Sequence, residues 1–290
     1  MELDGPLVST AWLDEYLGAA TLRVFDTTLY LRPKADGFGY QPESGRDEWR
    51  EAHIAGAGFL DVINDLSDPN TRLPFMMPDP QAFAATMASH GVSDDSTVVL
   101  YNKGMPMWST RVWWMLRSIG FERVAVLDGG WAKWVTEQRP VDAAEPDYAA
   151  GRLNCRPRPE MWVDKARMLD TEQDPAPVVL NALAPDVYSG TKNQYGRAGH
   201  LPGTHNVYYG HLLDPDSGEF RSVDDLRPLF EASGALQAPQ VVTYCGGGIS
   251  ATMDCLALDL CGQRNVAVYD GSMSEWVRDE SLPLTLGEEP

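Results

Sequence analysis

A cysteine followed by three glycines is the feature of the sequence with the clearest capacity for chemistry. The stretch VVTYCGGGIS, residues 241–250, places Cys245 between an apolar run and the predicted start of a helix. Glycines let a chain curl so that several main-chain amides face one centre, and a helix N-terminus adds unpaired N–H groups with partial positive charge. Such a centre stabilises an anion. The pattern therefore predicts a nucleophilic thiolate at Cys245 that is able to carry a second sulfur. It also predicts that a side chain at Gly247 would strain the loop.

The elements that would position this cysteine occur twice along the chain. Residues 98–135 and 241–277 share one order: an apolar strand ending in Tyr, a loop, an apolar-faced helix, a second strand, and a Trp six residues after an Asp. Upstream, 52-AHIAGA-57 matches 199-GHLPGT-204. Repetition on this scale indicates an internal duplication of about 140 residues. The first copy has Asn102 in the place of the thiol, so we expect it to be inactive.

The strand pattern predicts the fold class. Runs such as VVLY and VAVL show no polar alternation, which is typical of strands buried on both faces of a parallel sheet. Because these runs alternate with helix candidates, we expect an α/β protein of two tandem domains, each a mainly parallel sheet flanked by helices. The predicted limits are 1–140 for the first domain, 141–160 for a proline-rich linker and 161–290 for the second domain.

The composition excludes several classes of partner. The chain has 290 residues and a formal net charge of −19. Nucleic acids and anionic membrane surfaces both require cationic faces, so neither is an expected partner, and an anionic substrate would require cations gathered locally. The N-terminus lacks the pattern of a signal peptide, the four cysteines are irregularly spaced and the five histidines are scattered. These features predict a cytoplasmic, reduced protein without a disulfide scaffold or a metal site.

The motifs together resemble a tandem rhodanese, a sulfurtransferase of the thiosulfate and 3-mercaptopyruvate group. The resemblance is carried by 53-HIAG-56, 113-WWMLRSIGFERVAVLDGGWAKW-134, 199-GHLPGT-204 and the loop CGGGIS. It implies that the first domain is inactive and that Cys245 carries the transferred sulfur as a persulfide, with no metal or organic cofactor. A small anionic donor would transfer a sulfur atom to the cysteine, and cyanide or a thiol would accept that sulfur from the persulfide. The loop residues expected to surround the persulfide are Gly246, Gly247, Gly248, Ile249 and Ser250.

Several positions depart from the pattern of that family. Thiosulfate-type members carry two cations directly after the cysteine, where this chain has glycines, and mercaptopyruvate-type members often have a His at the position of Phe75. Two arginines usual in the second domain are replaced by Leu183 and Val187. We therefore expect Arg197 to bind the donor anion, because a guanidinium pairs bidentately with a carboxylate or sulfonate, with Lys192 as the other candidate.

Two other functions are compared with sulfur transfer. A cysteine phosphatase requires C-x5-R, and Ala251 stands where that arginine would be, so phosphatase activity is not expected. A non-enzymatic sulfur relay or protein-binding module stays open as an alternative. Residues that recur in both copies are expected to be structural; these are His53, His200, Asp128 and Asp270. The two cysteines on the helix after the loop, Cys255 and Cys261, are expected to be packed in the interior.

Overall fold

Two five-stranded parallel sheets, one in each half of the chain, form the framework of the protein. The computed structural model describes residues 1–34, 40–170 and 176–290. The elements of the first half are β1 (Leu7–Val8), α1 (Thr10–Tyr16), β2 (Leu22–Asp26), β3 (Leu29–Pro33), β4 (Tyr40–Ser44), α2 (Arg46–Glu51), β5 (His53–Ile54), β6 (Gly58–Phe59), α3 (Pro80–Ser89), β7 (Thr97–Tyr101), α4 (Met107–Ser118), β8 (Val124–Leu127), α5 (Gly130–Thr136) and β9 (Val141–Asp142).

The second half repeats this order with fewer short strands. Its elements are β10 (Trp162–Val163), α6 (Lys165–Met168), β11 (Val178–Asn181), α7 (Pro185–Tyr188), β12 (His205–Asn206), α8 (Val223–Glu231), β13 (Val241–Tyr244), α9 (Ala251–Leu260), β14 (Val266–Tyr269) and α10 (Ser272–Trp276), with short 3₁₀ turns at Pro159–Met161 and Tyr209–Leu212. Among the helices that the structure describes, none has the length and apolar composition needed to cross a bilayer.

The two sheets have equivalent strand orders. The first is β1-β8-β7-β2-β6 and the second is β10-β14-β13-β11-β12, with every neighbouring pair parallel. Each residue of β7 and β13 is buried, as the unbroken apolar runs predict. The α/β class and the two parallel sheets flanked by helices are therefore confirmed.

The recurring tyrosine at the end of each central strand has a structural role. The hydroxyl oxygen of Tyr101 accepts a hydrogen bond from the amide of Ile54 at 3.2 Å, and that of Tyr244 accepts one from Leu201 at 3.1 Å. The recurring histidines also bond to the main chain, but to carbonyl groups. His53 Nδ1 lies 2.7 Å from the carbonyl of Trp49, and His200 Nδ1 lies 2.8 Å from that of Tyr188. Both histidines are buried and structural, as predicted.

The two domains share a core and exchange hydrogen bonds. Helices α4 and α9 pack against each other, and the hydroxyls of Thr110 and Thr252 meet at 2.8 Å between them. Asp270, at the end of β14, accepts a hydrogen bond from the amide of Met77 at 2.7 Å, and Asp128, at the end of β8, accepts one from Phe220 at 2.8 Å. Each aspartate therefore holds a segment of the opposite domain, which explains its recurrence.

Residues 141–160 lie along the first domain. β9 pairs with β5, and the amides of Gly151 and Arg156 each donate to first-domain carbonyls at 2.8 Å, those of Ala88 and Ile119. The segment is thus fastened by its main chain, although its composition predicted a linker. The predicted domain limits themselves stay a prediction.

Asp254 generates a prediction about stability. Its carboxylate is fully buried on α9, and neither oxygen has a hydrogen-bond partner among the described residues. Burial raises the pKa of Asp254 well above its usual range in the folded protein, whereas the unfolded chain ionises normally. The unfolded state therefore loses its proton first as pH rises above about 4, and Asp254 destabilises the fold progressively from that pH upward. We expect Asp254→Asn to raise the free energy of unfolding near neutral pH by on the order of 1–3 kcal/mol.

Urea unfolding of both proteins across pH provides the test. The gain from Asp254→Asn should shrink as pH falls toward about 4. Asp259→Asn is a matched control on the same helix, because Asp259 pairs with Arg117 at 3.4 Å and its loss should stabilise nothing. A gain that does not change with pH would contradict the argument.

Candidate active site

Cys245 lies where the sheet of the second domain meets the interface between the domains. It directly follows β13, the middle strand of that sheet, and only 2% of its surface is exposed. Ligands of parallel α/β sheets bind at this carboxyl edge. The sulfur borders a cleft of about 930 Å³ that both domains line. The structure thus places the predicted nucleophile beside a cavity large enough for a small substrate.

The start of α10 holds the cysteine loop. The hydroxyl oxygen of Ser272 accepts hydrogen bonds from the amides of Cys245 and Gly248, each at 3.1 Å, and donates to the carbonyl of Tyr269 at 2.7 Å. The amide of Ser274 donates to the carbonyl of Gly246 at 2.8 Å. The amide of Gly248, which was expected to face the sulfur, is therefore engaged in supporting the loop.

Four other loop amides remain available to a ligand. Those of Gly246, Gly247, Ile249 and Ser250 donate to no acceptor within residues 1–34, 40–170 and 176–290. All four residues line the cleft beside the cysteine. Unpaired N–H groups at the start of α9 favour an anion in the cleft.

The three glycines of the loop differ in how far their positions require glycine. Gly248 has φ +72, and a Cβ there would lie 2.6 Å from the carboxylate of Asp270. A Cβ on Gly246 would collide with the hydroxyl of Tyr195. A Cβ on Gly247 would meet only Ser274 Oγ at 3.7 Å, and its φ lies outside the left-handed region. The expectation that a side chain at Gly247 strains the loop is therefore wrong, and the strain belongs to Gly248.

A buried arginine of the first domain supports the loop from behind. Arg111 on α4 is fully buried, and its guanidinium donates to Asp270 Oδ1 at 2.6 Å and to the carbonyl of Gly248 at 3.1 Å. It also donates to the carbonyl of Phe75 at 2.6 Å and lies over the ring of Trp162. Sequence reasoning missed this residue. The available signal was a single charged side chain in the otherwise uncharged stretch MWSTRVWWML of this helix.

The described lining of the cleft is cationic, in contrast to the acidic chain. No Asp or Glu belongs to it, whereas the chain as a whole has 42 acidic and 23 basic residues. The cations that line it are Lys34, Arg72, Lys103 and Arg278. Lys103 Nζ donates hydrogen bonds to the carbonyls of Glu48 and Ala52. Arg72 and Arg278 form no ion pair with the described residues. The local positive potential that an anionic substrate requires is present.

The predicted anion-binding residues lie elsewhere. The guanidinium of Arg197 donates to the carbonyls of Asp279 at 2.9 Å and Leu282 at 2.7 Å, and Arg197 is absent from the described cleft lining. Lys192 is exposed and is also absent from that lining. The structure therefore corrects the expectation for Arg197, because its hydrogen-bonding groups fasten the C-terminal segment instead.

The remaining cysteines of the second domain are packed, as predicted. Cys255 is buried behind the loop with its sulfur 3.2 Å from Thr243 Oγ1, and burial raises its pKa far above the usual range. Burial also raises the pKa of Cys261, the C-cap residue that follows α9. Both thiols are therefore held protonated, which makes them poor nucleophiles.

The glycine geometry predicts an order of tolerance in the loop. We expect Gly247→Ala to keep the stability and the Cys245 reactivity of the parent, because its side chain has space. Gly248→Ala should lose on the order of 1–3 kcal/mol of stability, since alanine must adopt a left-handed conformation against Asp270. Thermal unfolding and the rate of Cys245 alkylation would measure both effects. Equal losses in the two variants would contradict this order.

Comparison with known proteins agrees with the geometry. Residues 9–137 and 169–279 match the rhodanese-like domain family. The chain is 30% identical over 280 residues to 3-mercaptopyruvate sulfurtransferase of Escherichia coli K12, covering 96% of both chains, and 32% identical to thiosulfate sulfurtransferase of Gallus gallus, covering 93% and 92%.

Solved structures show the same architecture. The crystal structure of SseA from Escherichia coli, described as a rhodanese fold, has a TM-score of 0.81 and 28% identity, covering 92% of this chain and 98% of that one. Tum1 from Saccharomyces cerevisiae has a TM-score of 0.82 and 22% identity over 99% of both chains, which supports the fold alone. With two matching domains and full-length relatives of this kind, the chain belongs to the rhodanese family and is a tandem-domain sulfurtransferase.

Proposed function

We propose that the protein transfers a sulfane sulfur from a small anionic donor, thiosulfate or 3-mercaptopyruvate, to cyanide or a thiol through a persulfide on Cys245. The observation that carries this proposal is the position of Cys245 beside unpaired amides at the edge of a cation-lined cleft. Together these features suit an anionic sulfur species.

The reaction consists of two displacements. The Cys245 thiolate attacks the outer sulfur of the donor, a new S–S bond forms, and the rest of the donor leaves with the electron pair of the broken bond. The acceptor then attacks the outer sulfur of the persulfide and releases the Cys245 thiolate. The free amides of Gly246, Gly247, Ile249 and Ser250 are the groups available to stabilise both sulfur anions.

Arg72 and Arg278 are the cations best placed to hold the donor. They come from different domains. The guanidinium of Arg278 donates to the main-chain carbonyl of Arg72 at 3.3 Å, so the two residues meet at the cleft. Leu183, at a position where the resemblance implies an arginine, also lines the cleft and supplies no charge. We therefore assign donor binding to the pair Arg72 and Arg278 rather than to Arg197.

Persulfide formation tests the proposed nucleophile. We expect Cys245→Ser to abolish sulfur transfer, because the attacking thiolate is lost, while the matched Cys255→Ser protein retains it. The measurement is the mass of the intact protein after exposure to each donor, followed by thiocyanate formation from cyanide. Turnover by Cys245→Ser comparable with that of the parent would refute the assignment. Sulfur uptake only from another protein would indicate a relay.

Donor binding provides a separate prediction. Replacing both arginines, as Arg72→Gln with Arg278→Gln, should raise KM for the donor about tenfold or more, since a hydrogen bond to a charged group contributes about 1.5–3 kcal/mol. Added salt should affect the parent more than the variant. Arg197→Gln is the control, and it should lower stability without the same rise in KM. A rise in KM with Arg197→Gln, and none with the double variant, would assign donor binding to Arg197 instead.

A further inference from the structure

The hydroxyl of Tyr195 occupies the space that a side chain after Cys245 would need. Tyr195 lies between α7 and β12, and its oxygen stands against Gly246 so closely that a Cβ on that glycine would collide with it. Tyr195 and Cys245 line the same cleft. A phenol from a distant part of the chain is thus placed directly beside the nucleophile.

The proton of this phenol has no acceptor in the described protein. Gln194 Nε2 donates to the Tyr195 oxygen at 3.2 Å, which leaves the O–H of Tyr195 to donate elsewhere. Within residues 1–34, 40–170 and 176–290 it donates to no group. Burial, with the adjacent Cys245, raises the pKa of Tyr195 above its ordinary value, so the group stays protonated. The cleft therefore contains an oriented, neutral hydrogen-bond donor.

Neutral and cationic hydrogen-bonding groups suit different sulfur-donating substrates. A cation matches a sulfonate, which leaves as sulfite without gaining a proton. A sulfur donor that has a carbonyl next to its carbon–sulfur bond differs from a sulfonate, because breaking that bond produces an enolate. An O–H group directed at the carbonyl oxygen stabilises that developing charge and can transfer a proton to it.

We infer that Tyr195 is a catalytic residue that donates to the carbonyl oxygen of a 2-oxo thiol, and that the enzyme uses this class of sulfur donor in preference to thiosulfate. The inference rests on the proposed persulfide function of Cys245. The Cys245 thiolate bonds to the donor sulfur, the C–S bond breaks, and its electron pair forms the enolate. Tyr195 gives its proton to the enolate oxygen, and the proton released by the donor thiol, passed through solvent, restores the phenol.

Single-turnover kinetics separate this role from simple support of the loop. Persulfide formation on Cys245 is followed by mass in rapid-quench experiments with 3-mercaptopyruvate and with thiosulfate. Tyr195→Phe should slow the reaction of 3-mercaptopyruvate by about 100-fold, and that of thiosulfate by less than about threefold, since only the first donor requires the O–H. A solvent deuterium isotope effect with 3-mercaptopyruvate should be present in the parent and absent in the variant.

Tyr30→Phe is the matched control. Tyr30 also lines the cleft, but its hydroxyl donates to Glu48 at 2.7 Å, so its removal should not distinguish the donors. Equal slowing with both donors in Tyr195→Phe, or no slowing with either, would overturn the inference while leaving the Cys245 persulfide intact. A parent protein that forms no persulfide with either donor would overturn the proposed function itself.

Discussion

The buried ion pair between Arg111 and Asp270 is the interaction on which the site depends. An unpaired charge in the interior costs several kcal/mol, so each group needs the other, and each also bonds to main chain that shapes the site. Arg111 fixes the carbonyl of Gly248, and Asp270 fixes the amide of Met77. The pair spans the two domains, so a side chain of the first domain helps to shape the cysteine loop of the second.

This constraint gives the domain without a thiol a function. Asn102 replaces the cysteine there, and its side chain is engaged locally, donating to the carbonyl of Met105 and accepting from Ser109 at 2.8 Å. The same domain nevertheless supplies Arg111 to the loop and Arg72 to the cleft. The absence of a cysteine at position 102 is therefore compatible with the retention of this domain as half of the site. It also gives the acidic chain a locally cationic cleft, because both copies contribute cations to a cleft whose described lining has no carboxylate.

The sequence was sufficient for features that depend on local pattern. Continuous apolar runs predicted β7 and β13, and the repeated motifs predicted two equivalent sheets, because burial on both faces leaves a direct mark on composition. Cys245 could be proposed as the nucleophile because the glycines that follow it are adjacent in sequence. Contacts between distant segments left no comparable mark. Arg111 meets Asp270 across 159 positions, and the carbonyls that engage Arg197 lie more than 80 positions away.

The glycines show the same limit most clearly. All three look equivalent in the sequence, yet one requires a left-handed φ, one requires space for Tyr195, and one has room for a side chain. The second case links two positions that are separated in the chain. Because the Tyr195 hydroxyl and a side chain at position 246 cannot occupy the same volume, a cation could be placed after Cys245 only if Tyr195 were removed or moved. The choice between a cationic and a phenolic group beside the sulfur is thus made by two residues together, because a side chain at position 246 requires that the Tyr195 hydroxyl be elsewhere.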